Sequence, residues 1–552
     1  MKNKNIENYY LENLDLLSDR FPMLYLLMLS QREGDKNTKT SINLPLDDTF
    51  DEDEKIINAL DTIFIYKCSL NIPFSKLDKW LQNKNKKLVF IEDNLDALEK
   101  FFQTKIANTF LKNEKVKIHF FEDIKALLQE VTPNTKTRQI DVLTFIKKDK
   151  KFQSLKEEIL QDSLISFFAN HDRIYSFKIF KNFYSNLDKL KGSFLVNKFK
   201  NKFRNKPAII VGAGPSLNYS FDKLKKLQNQ ALIIAGGSAI TCLSQQNILP
   251  HLGVIIDPNE EEYQRMKDSL AFEVPIVYST RVNFGVFNTF NSPLGYIKAG
   301  IGGFFELFLE NELKISGKHL VSERDEKALS VTTVSLMMAK LFGCNPIILD
   351  GVDLAYSENK QYALDIVDSN QIDTTREDIS EKPKATLDKM SNKVFTNLKW
   401  EIEKDWISTF AKMSKKIKFI NAAKTGLKID NVKDLSYEKI EKKYLKNHFD
   451  YKAYLHSLIE QNKLKNAQKI DFIALKLKLK KSFQKCQNYL QDIVKNDPEY
   501  KAVLAKDEIR DEIAYRYFLI EADFTLSNFY QEDEIYDKLL ELTNRFLDQF
   551  DI

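Results

Sequence analysis

Short apolar runs recur along this chain, and longer stretches with apolar residues every three or four positions separate them. That alternation predicts strands and helices in turn. Leu14, Leu17, Phe21, Leu24 and Met28 have helical spacing, and Pro22 predicts a break or a fresh helix start. A polar, acidic stretch follows near residues 47–55. TIFIY at 62–66, LVFI at 88–91 and VKIHFF at 116–121 then read as three strands of a first α/β unit. The turn after the first of them, KCSLNIPF, has no glycine. Glu92 nevertheless stands where a ribose-binding acid would stand, and a structural domain without a cofactor is the expectation for this unit.

Residues 150–205 read as Phe- and Lys-rich helices. Central strands are expected at Ala208–Val211, Ala231–Ala235, Val254–Ile256, Ile276–Tyr278, Ile347–Leu349 and Ile417–Ile420. The segment SVTTVSLMMAKL at 330–341 predicts a helix ending at Gly343. A polar stretch at 357–395, broken by Pro383, reads as a lid or a surface insertion. Only helices are expected from about residue 435 on, including the ambiguous IDFIALKLKLKK at 470–481. Its lysines read as a solvated face or a surface for an acidic partner. The fold class is therefore α/β: a doubly wound, Rossmann-like central domain, a smaller N-terminal α/β domain and a helical C-terminal region. The expected boundaries are 1–150 for the N-terminal domain, 151–205 for a helical connector, 206–440 for the central domain and 441–552 for the C-terminal helices.

Composition narrows the function classes. Lys and Arg number 83 against 78 Asp and Glu, a net charge of +5 over 552 residues, so there is no nucleic-acid footprint. Cys68, Cys242, Cys344 and Cys486 are far apart and form neither a zinc motif nor a disulfide framework. Cys242 and Cys344 read as small core residues. The N-terminus has no apolar signal region, and no run of about 18 apolar residues occurs, so a soluble, cytoplasmic protein without a membrane span is expected.

The chemistry is expected at the carboxyl ends of the central strands. In PAIIVGAGPSL at 207–217, a strand, a tight turn at Gly212, Gly214 and Pro215, and Ser216 as helix N-cap would present backbone N–H groups to a phosphate. The alternative is a plain strand-to-helix turn. Gly236, Gly237 and Ser238 follow the second strand, Asp257 the third, and Asp350, Gly351 and Asp353 a later one. Asp257 is the candidate general base. Asp353 could bind a sugar or nucleotide hydroxyl, or cap a turn. Tyr356 and Tyr362 could line the pocket or simply pack. Asp350 and Asp353 could hold a divalent cation, but nothing demands one, and no cofactor is firmly indicated. His251 precedes its strand and is expected at the opposite edge, as a surface or structural histidine.

Taken together, PAIIVGAGPSL, VIIDP at 254–258, SVTTVSLMMAKLFGC at 330–344, DGVDLAYSENKQYA at 350–363, KVFTN at 393–397 and INAAKTGLKI at 420–429 resemble the motility-associated factor (Maf) flagellin glycosyltransferases. These carry a 6-hydroxymethylpterin diphosphokinase MptE-like domain (DUF115). Val352-Asp353-Leu354-Ala355 departs from the Gln-Asp-Leu-Ala common there, and Tyr362 stands near a frequent histidine.

The resemblance implies transfer of a nonulosonic acid, of the pseudaminic, legionaminic or sialic type, from a CMP-activated donor to Ser or Thr of flagellin. It implies Gly212, Gly214, Pro215 and Ser216 around the cytidylate phosphate, and Ser330, Thr332 and Thr333 at the sugar carboxylate. Two alternatives stand beside it. One is an ATP-dependent pterin pyrophosphokinase. The other is a non-catalytic, flagellin-binding assembly factor.

Overall fold

The computed structural model describes residues 2–34, 54–68, 72–321, 330–356, 360–363, 372, 378–495 and 499–550. The chain packs as two units, residues 1–170 with 375–382 and residues 171–374 with 383–552.

The first unit holds a four-stranded parallel sheet of β1 (Thr62–Tyr66), β2 (Lys87–Glu92), β3 (Val116–Phe120) and β4 (Ile140–Thr144), in the order β3-β2-β1-β4. The three expected strands are present. β4 was not expected, because in IDVLT an aspartate interrupts the apolar run. Helices Lys2–Arg20 and Pro22–Gly34 meet at the predicted break. Leu14, Leu17, Leu24 and Met28 face the core from them.

The end of β2 shows what fills the tip of this sheet. The Glu92 carboxylate is fully buried. It accepts the N–H groups of Cys68 at 2.8 Å, Asp93 at 3.0 Å and Asn94 at 3.1 Å, and the Lys67 ammonium at 2.8 Å. A buried carboxylate persists only when so many donors replace its water.

The second unit is built on nine strands, parallel throughout. They are β5 (Phe194–Leu195), β6 (Ala208–Val211), β7 (Leu232–Gly236), β8 (Leu252–Ile255), β9 (Ile276–Tyr278), β10 (Leu294–Tyr296), β11 (Ile347–Asp350), β14 (Phe419–Asn421) and β15 (Lys433–Asp434). Their order is β15-β14-β11-β6-β7-β8-β9-β10-β5. All six expected central strands are among them, shifted by up to two residues at their ends. β5, β10 and β15 escaped the sequence reading because FL, LGY and KD hold no three consecutive apolar residues.

Both faces of this sheet are covered, which is why its strands read as continuous apolar runs. Ile209, Val211 and Ile233 enter one core, while Ala208, Ile210, Leu232 and Ile234 enter the other. Each large aliphatic side chain so buried contributes about 1.5–3 kcal/mol. Cys242 and Cys344 are fully buried among them.

Part of the polar stretch at 357–395 is a hairpin of β12 (Lys384–Leu387) and β13 (Lys393–Thr396). Residues 357–359, 364–371 and 373–377 of that stretch lie outside the described residues. The ambiguous segment at 470–481 is helical from Phe472 on, within helix Phe472–Lys495, as expected. Leu475, Leu479, Phe483, Cys486 and Leu490 form its buried stripe, so the helical period prevails over the local Leu-Lys alternation. Phe180 packs edge-to-face on Phe483, Phe518 and Phe546 of the C-terminal region, and Phe483 stacks on Phe546.

Candidate active site

Because β6, β7, β8 and β11 are parallel neighbours, their carboxyl ends lie along one edge. The sheet order reverses between β6 and β11, where open α/β sheets usually bind ligands. Here the backbone segments that leave the two strands run close together. A Cβ on Gly212 would lie 2.5 Å from the Gly351 carbonyl oxygen, and one on Gly214 would lie 2.7 Å from it. The glycines at 212 and 214 therefore permit two strand ends to touch.

The turn amides are engaged in the same contact. Gly212 N–H donates to the Asp350 carbonyl and Gly214 N–H to the Gly351 carbonyl, both at 2.8 Å. Ser216 N–H donates to Asp353 Oδ2 at 2.8 Å, and the Ser216 hydroxyl donates to Asp353 Oδ1. Two expectations are corrected. Ser216 is no helix N-cap, because a 3-10 turn over Pro215–Tyr219 is capped by Gly214, and the following helix starts at Phe221. The amides of Gly212, Gly214 and Ser216 point to protein acceptors, so they present no phosphate cradle.

Asp350, the last residue of β11, and Asp353 just beyond it are likewise engaged. Asp350 is fully buried and accepts from Ser220 Oγ at 3.0 Å and Tyr437 Oη at 2.5 Å. Burial pushes its carboxyl up to about 6, with both hydroxyl donors opposing the rise. Asp353 is raised by burial too, against the pull of Ser216. These oxygens are held by donors of the chain itself. Among the described residues, no group of three or more His, Cys, Asp or Glu is placed to hold a metal ion.

The neighbouring tips are different. Gly237 has φ of +47°, which a side chain would strain, and it caps the helix Ser238–Gln245. Ser238 and Ala239 are the first two residues of that helix, whose N–H groups have no intrahelical acceptor. The next strand, β8, delivers Asp257, which is half-buried and accepts the Asn259 N–H at 3.1 Å.

The short helix Glu260–Met266 follows and carries a residue that sequence reasoning missed. Glu262 is 3% exposed, and its Oε1 has no hydrogen-bond partner. Oε1 lies 3.2 Å from where a Gly237 Cβ would be. Its other oxygen accepts from Arg265 Nη2 at 3.1 Å. Burial pushes the Glu262 carboxyl up to about 7, the Asp257 charge adds to the rise, and Arg265 opposes it. The available signal was the run NEEEYQR directly after VIIDP. Acids in the first turn of a helix usually read only as dipole partners.

The remaining expected residues divide. Val331, at the start of helix Val331–Phe342, packs on Gly236, so that helix N-terminus meets the Gly236–Ser238 turn. Ser330 and Thr333 form its capping box, and Ser330 Oγ donates to Glu403 at 2.6 Å. Those two hydroxyls are occupied locally, while Thr332 is half-buried at the same helix start. Tyr356 bridges to Phe395 and packs on Trp400 with ring centres 4.8 Å apart, so it belongs to the core. Ala363 N–H donates to the Ala213 carbonyl at 2.9 Å, which brings its neighbour Tyr362 to the first turn. His251 is buried rather than superficial, and its Nδ1 accepts the Ile233 N–H at 2.9 Å. That contact is structural, as expected.

Residues 181–359 match the family model described as 6-hydroxymethylpterin diphosphokinase MptE-like. The resemblance to that domain read from the sequence holds over this region. No curated protein matches. Among solved structures, the chain is similar to the MAf glycosyltransferase from Magnetospirillum magneticum AMB-1, with a TM-score of 0.47 and 14% sequence identity. The match covers 99% of this chain and 95% of that one. No helix among the described residues is long and apolar enough to cross a membrane.

Proposed function

We propose that this chain is a glycosyltransferase that moves a nonulosonic acid from a CMP-activated donor to Ser or Thr hydroxyls of flagellin. One observation carries the reading. The tips of β7 and β8 gather two acids, Asp257 and the nearly buried Glu262, beside a helix N-terminus and Arg265. Glycosyl transfer needs those parts. The bond from the sugar's anomeric carbon to the phosphate oxygen breaks, CMP leaves as an anion, and the acceptor oxygen bonds to that carbon while its proton passes to a base. Fixed N–H dipoles and a cation stabilise the leaving phosphate. Asp257 is the half-buried acid in this group and is the proposed base.

The match to the MptE-like family favours a second reading, ATP-dependent pyrophosphate transfer to a pterin alcohol. That chemistry runs through Mg²⁺ held by carboxylates. The engagement of Asp350 and Asp353 with Ser220, Tyr437 and Ser216 speaks against them as its ligands.

Calorimetric titration of the full chain with CMP, ATP and UDP separates the readings. Saturable CMP binding without Mg²⁺ is expected. Binding of ATP alone, dependent on Mg²⁺, would replace the first reading by the second. Intact-mass measurement of flagellin incubated with a CMP-nonulosonic acid and the protein then tests the acceptor.

A further inference from the structure

The geometry points to an oxyanion subsite at the Gly237–Ala239 turn, formed by the first N–H groups of helix Ser238–Gln245, the Arg265 guanidinium and the carboxyl of Glu262. It would take the phosphate of the donor nucleotide, one strand away from the turn that the glycine motif advertises. This deepens the proposed function and rests on it for the identity of the nucleotide, but the subsite itself is independent of any transfer step.

Three observations carry it. The turn after β6 has no amide to give at Gly212, Gly214 or Ser216, because each donates to the strand end beside it. The turn after β7 does, since Ser238 and Ala239 begin an eight-residue helix and lack intrahelical acceptors. The third observation is Glu262. Its side chain is 4% exposed, one oxygen is held by Arg265, and the other faces Gly237 with no partner. A buried carboxyl oxygen left without a donor is costly unless a ligand or a proton completes it.

The protonated acid fits an anion. A neutral carboxyl donates its O–H to a phosphate oxygen, whereas an ionised one repels it. Burial and Asp257 both favour that proton near neutral pH, and Arg265 opposes it. Arg265 is held in place by its link to Glu262 and by its own carbonyl, which accepts from Thr241 Oγ1 at 3.0 Å on the helix Ser238–Gln245. Its Nε is buried without a partner, so the guanidinium has donor capacity left. Asp257 from the strand tip and Tyr362 from the segment after β11 are the other titratable groups that act on this pair.

Two oxyanions of the donor could use the same chemistry, its phosphate and the sugar's carboxylate. Titrations of the full-length protein with CMP, cytidine, inorganic phosphate and N-acetylneuraminic acid distinguish them. Arg265→Gln is expected to weaken CMP binding by about 10- to 100-fold and to leave cytidine binding unchanged. Glu262→Gln keeps the shape and removes the titration. Wild-type affinity for CMP should fall relative to that variant as pH rises from 6 to 8, with the two converging at the acid end.

Equal losses for CMP and cytidine in Arg265→Gln, or wild-type and Glu262→Gln curves that run parallel in pH, would overturn the subsite. So would an Arg265 effect confined to N-acetylneuraminic acid, which would assign these groups to the sugar carboxylate. Inorganic phosphate that binds in an Arg265-dependent way while CMP does not bind would keep the subsite and remove the CMP reading. Circular dichroism of both variants guards against loss of fold.

Discussion

Asp353 accepts both the backbone N–H and the hydroxyl of Ser216, from the loop after a neighbouring strand and more than a hundred residues away in sequence. The glycine turn is thereby fastened to the end of β11. A motif that reads as a ligand cradle is, in the folded chain, a joint between two strand ends.

Removing that joint should cost stability. Asp353→Ala leaves a buried N–H and hydroxyl unsatisfied and is expected to destabilise the chain by about 2–4 kcal/mol. Ser216→Ala, which removes one donor, should cost about 1–2 kcal/mol. Thermal unfolding of the two variants checks the order. A ligand-binding role alone, with no structural one, predicts unchanged melting for both.

Gly212→Ala tests the same contact sterically. Its Cβ would sit 2.5 Å from the Gly351 carbonyl oxygen, and the listener on the other side is backbone that cannot rotate away. Overpacking of this kind costs about 1–3 kcal/mol. Gly192→Ala, with nothing within 4 Å of its added carbon, is the control and should melt with the wild type.

Asp257→Asn is expected to reduce sugar transfer by about 10²- to 10⁴-fold while leaving CMP affinity within a few-fold of wild type. Single-turnover assays with a CMP-activated donor measure the first and calorimetry the second. Full activity in this variant removes Asp257 from the mechanism.

Three buried groups illustrate how acid stability should depend on pH. Asp350 titrates near 6 when folded against an ordinary 3.8, so the folded chain keeps a proton that the unfolded chain loses, and stability falls as pH rises through that window. Glu262, raised from 4.5 to about 7, acts in the same sense. His251 opposes them. Its folded value is lowered by burial from 6.5 to about 4, so the unfolded chain binds the extra proton and stability is lost as pH falls through that range. Each such shift corresponds to about 3 kcal/mol. His251→Asn should therefore gain stability relative to wild type on acidification from pH 7 to 4.5, as melting curves across pH would show. Parallel curves for the two proteins would contradict the assignment.

Much of this was legible beforehand. Continuous apolar runs such as AIIV and LIIAG identify strands buried on both faces, and the parallel order follows from the helices between them. The glycine turn is legible in the sequence, but the choice between a cradle and a plain strand-to-helix turn is not. Nothing local in GAGPS tells that Gly351 and Asp353 will lie against it, because that contact depends on which strands become neighbours. Glu262 was missed for a related reason. An acid in the first turn of a helix looks ordinary until burial and Gly237 define its surroundings. Tyr356 went to the core because its partners are Phe395 on β13 and Trp400 on the helix Leu398–Met413, and a polar stretch separates both from it in sequence.

The four-stranded sheet carries a different lesson through Glu92, whose carboxylate sits among the amides of residues 68, 93 and 94. The anion that such a sheet tip would recruit from solution is here tethered to the polypeptide at effectively saturating concentration. At this tip three amides and the Lys67 ammonium close on an acid of the chain itself, and that acid ties the end of β2 to the residues that follow β1.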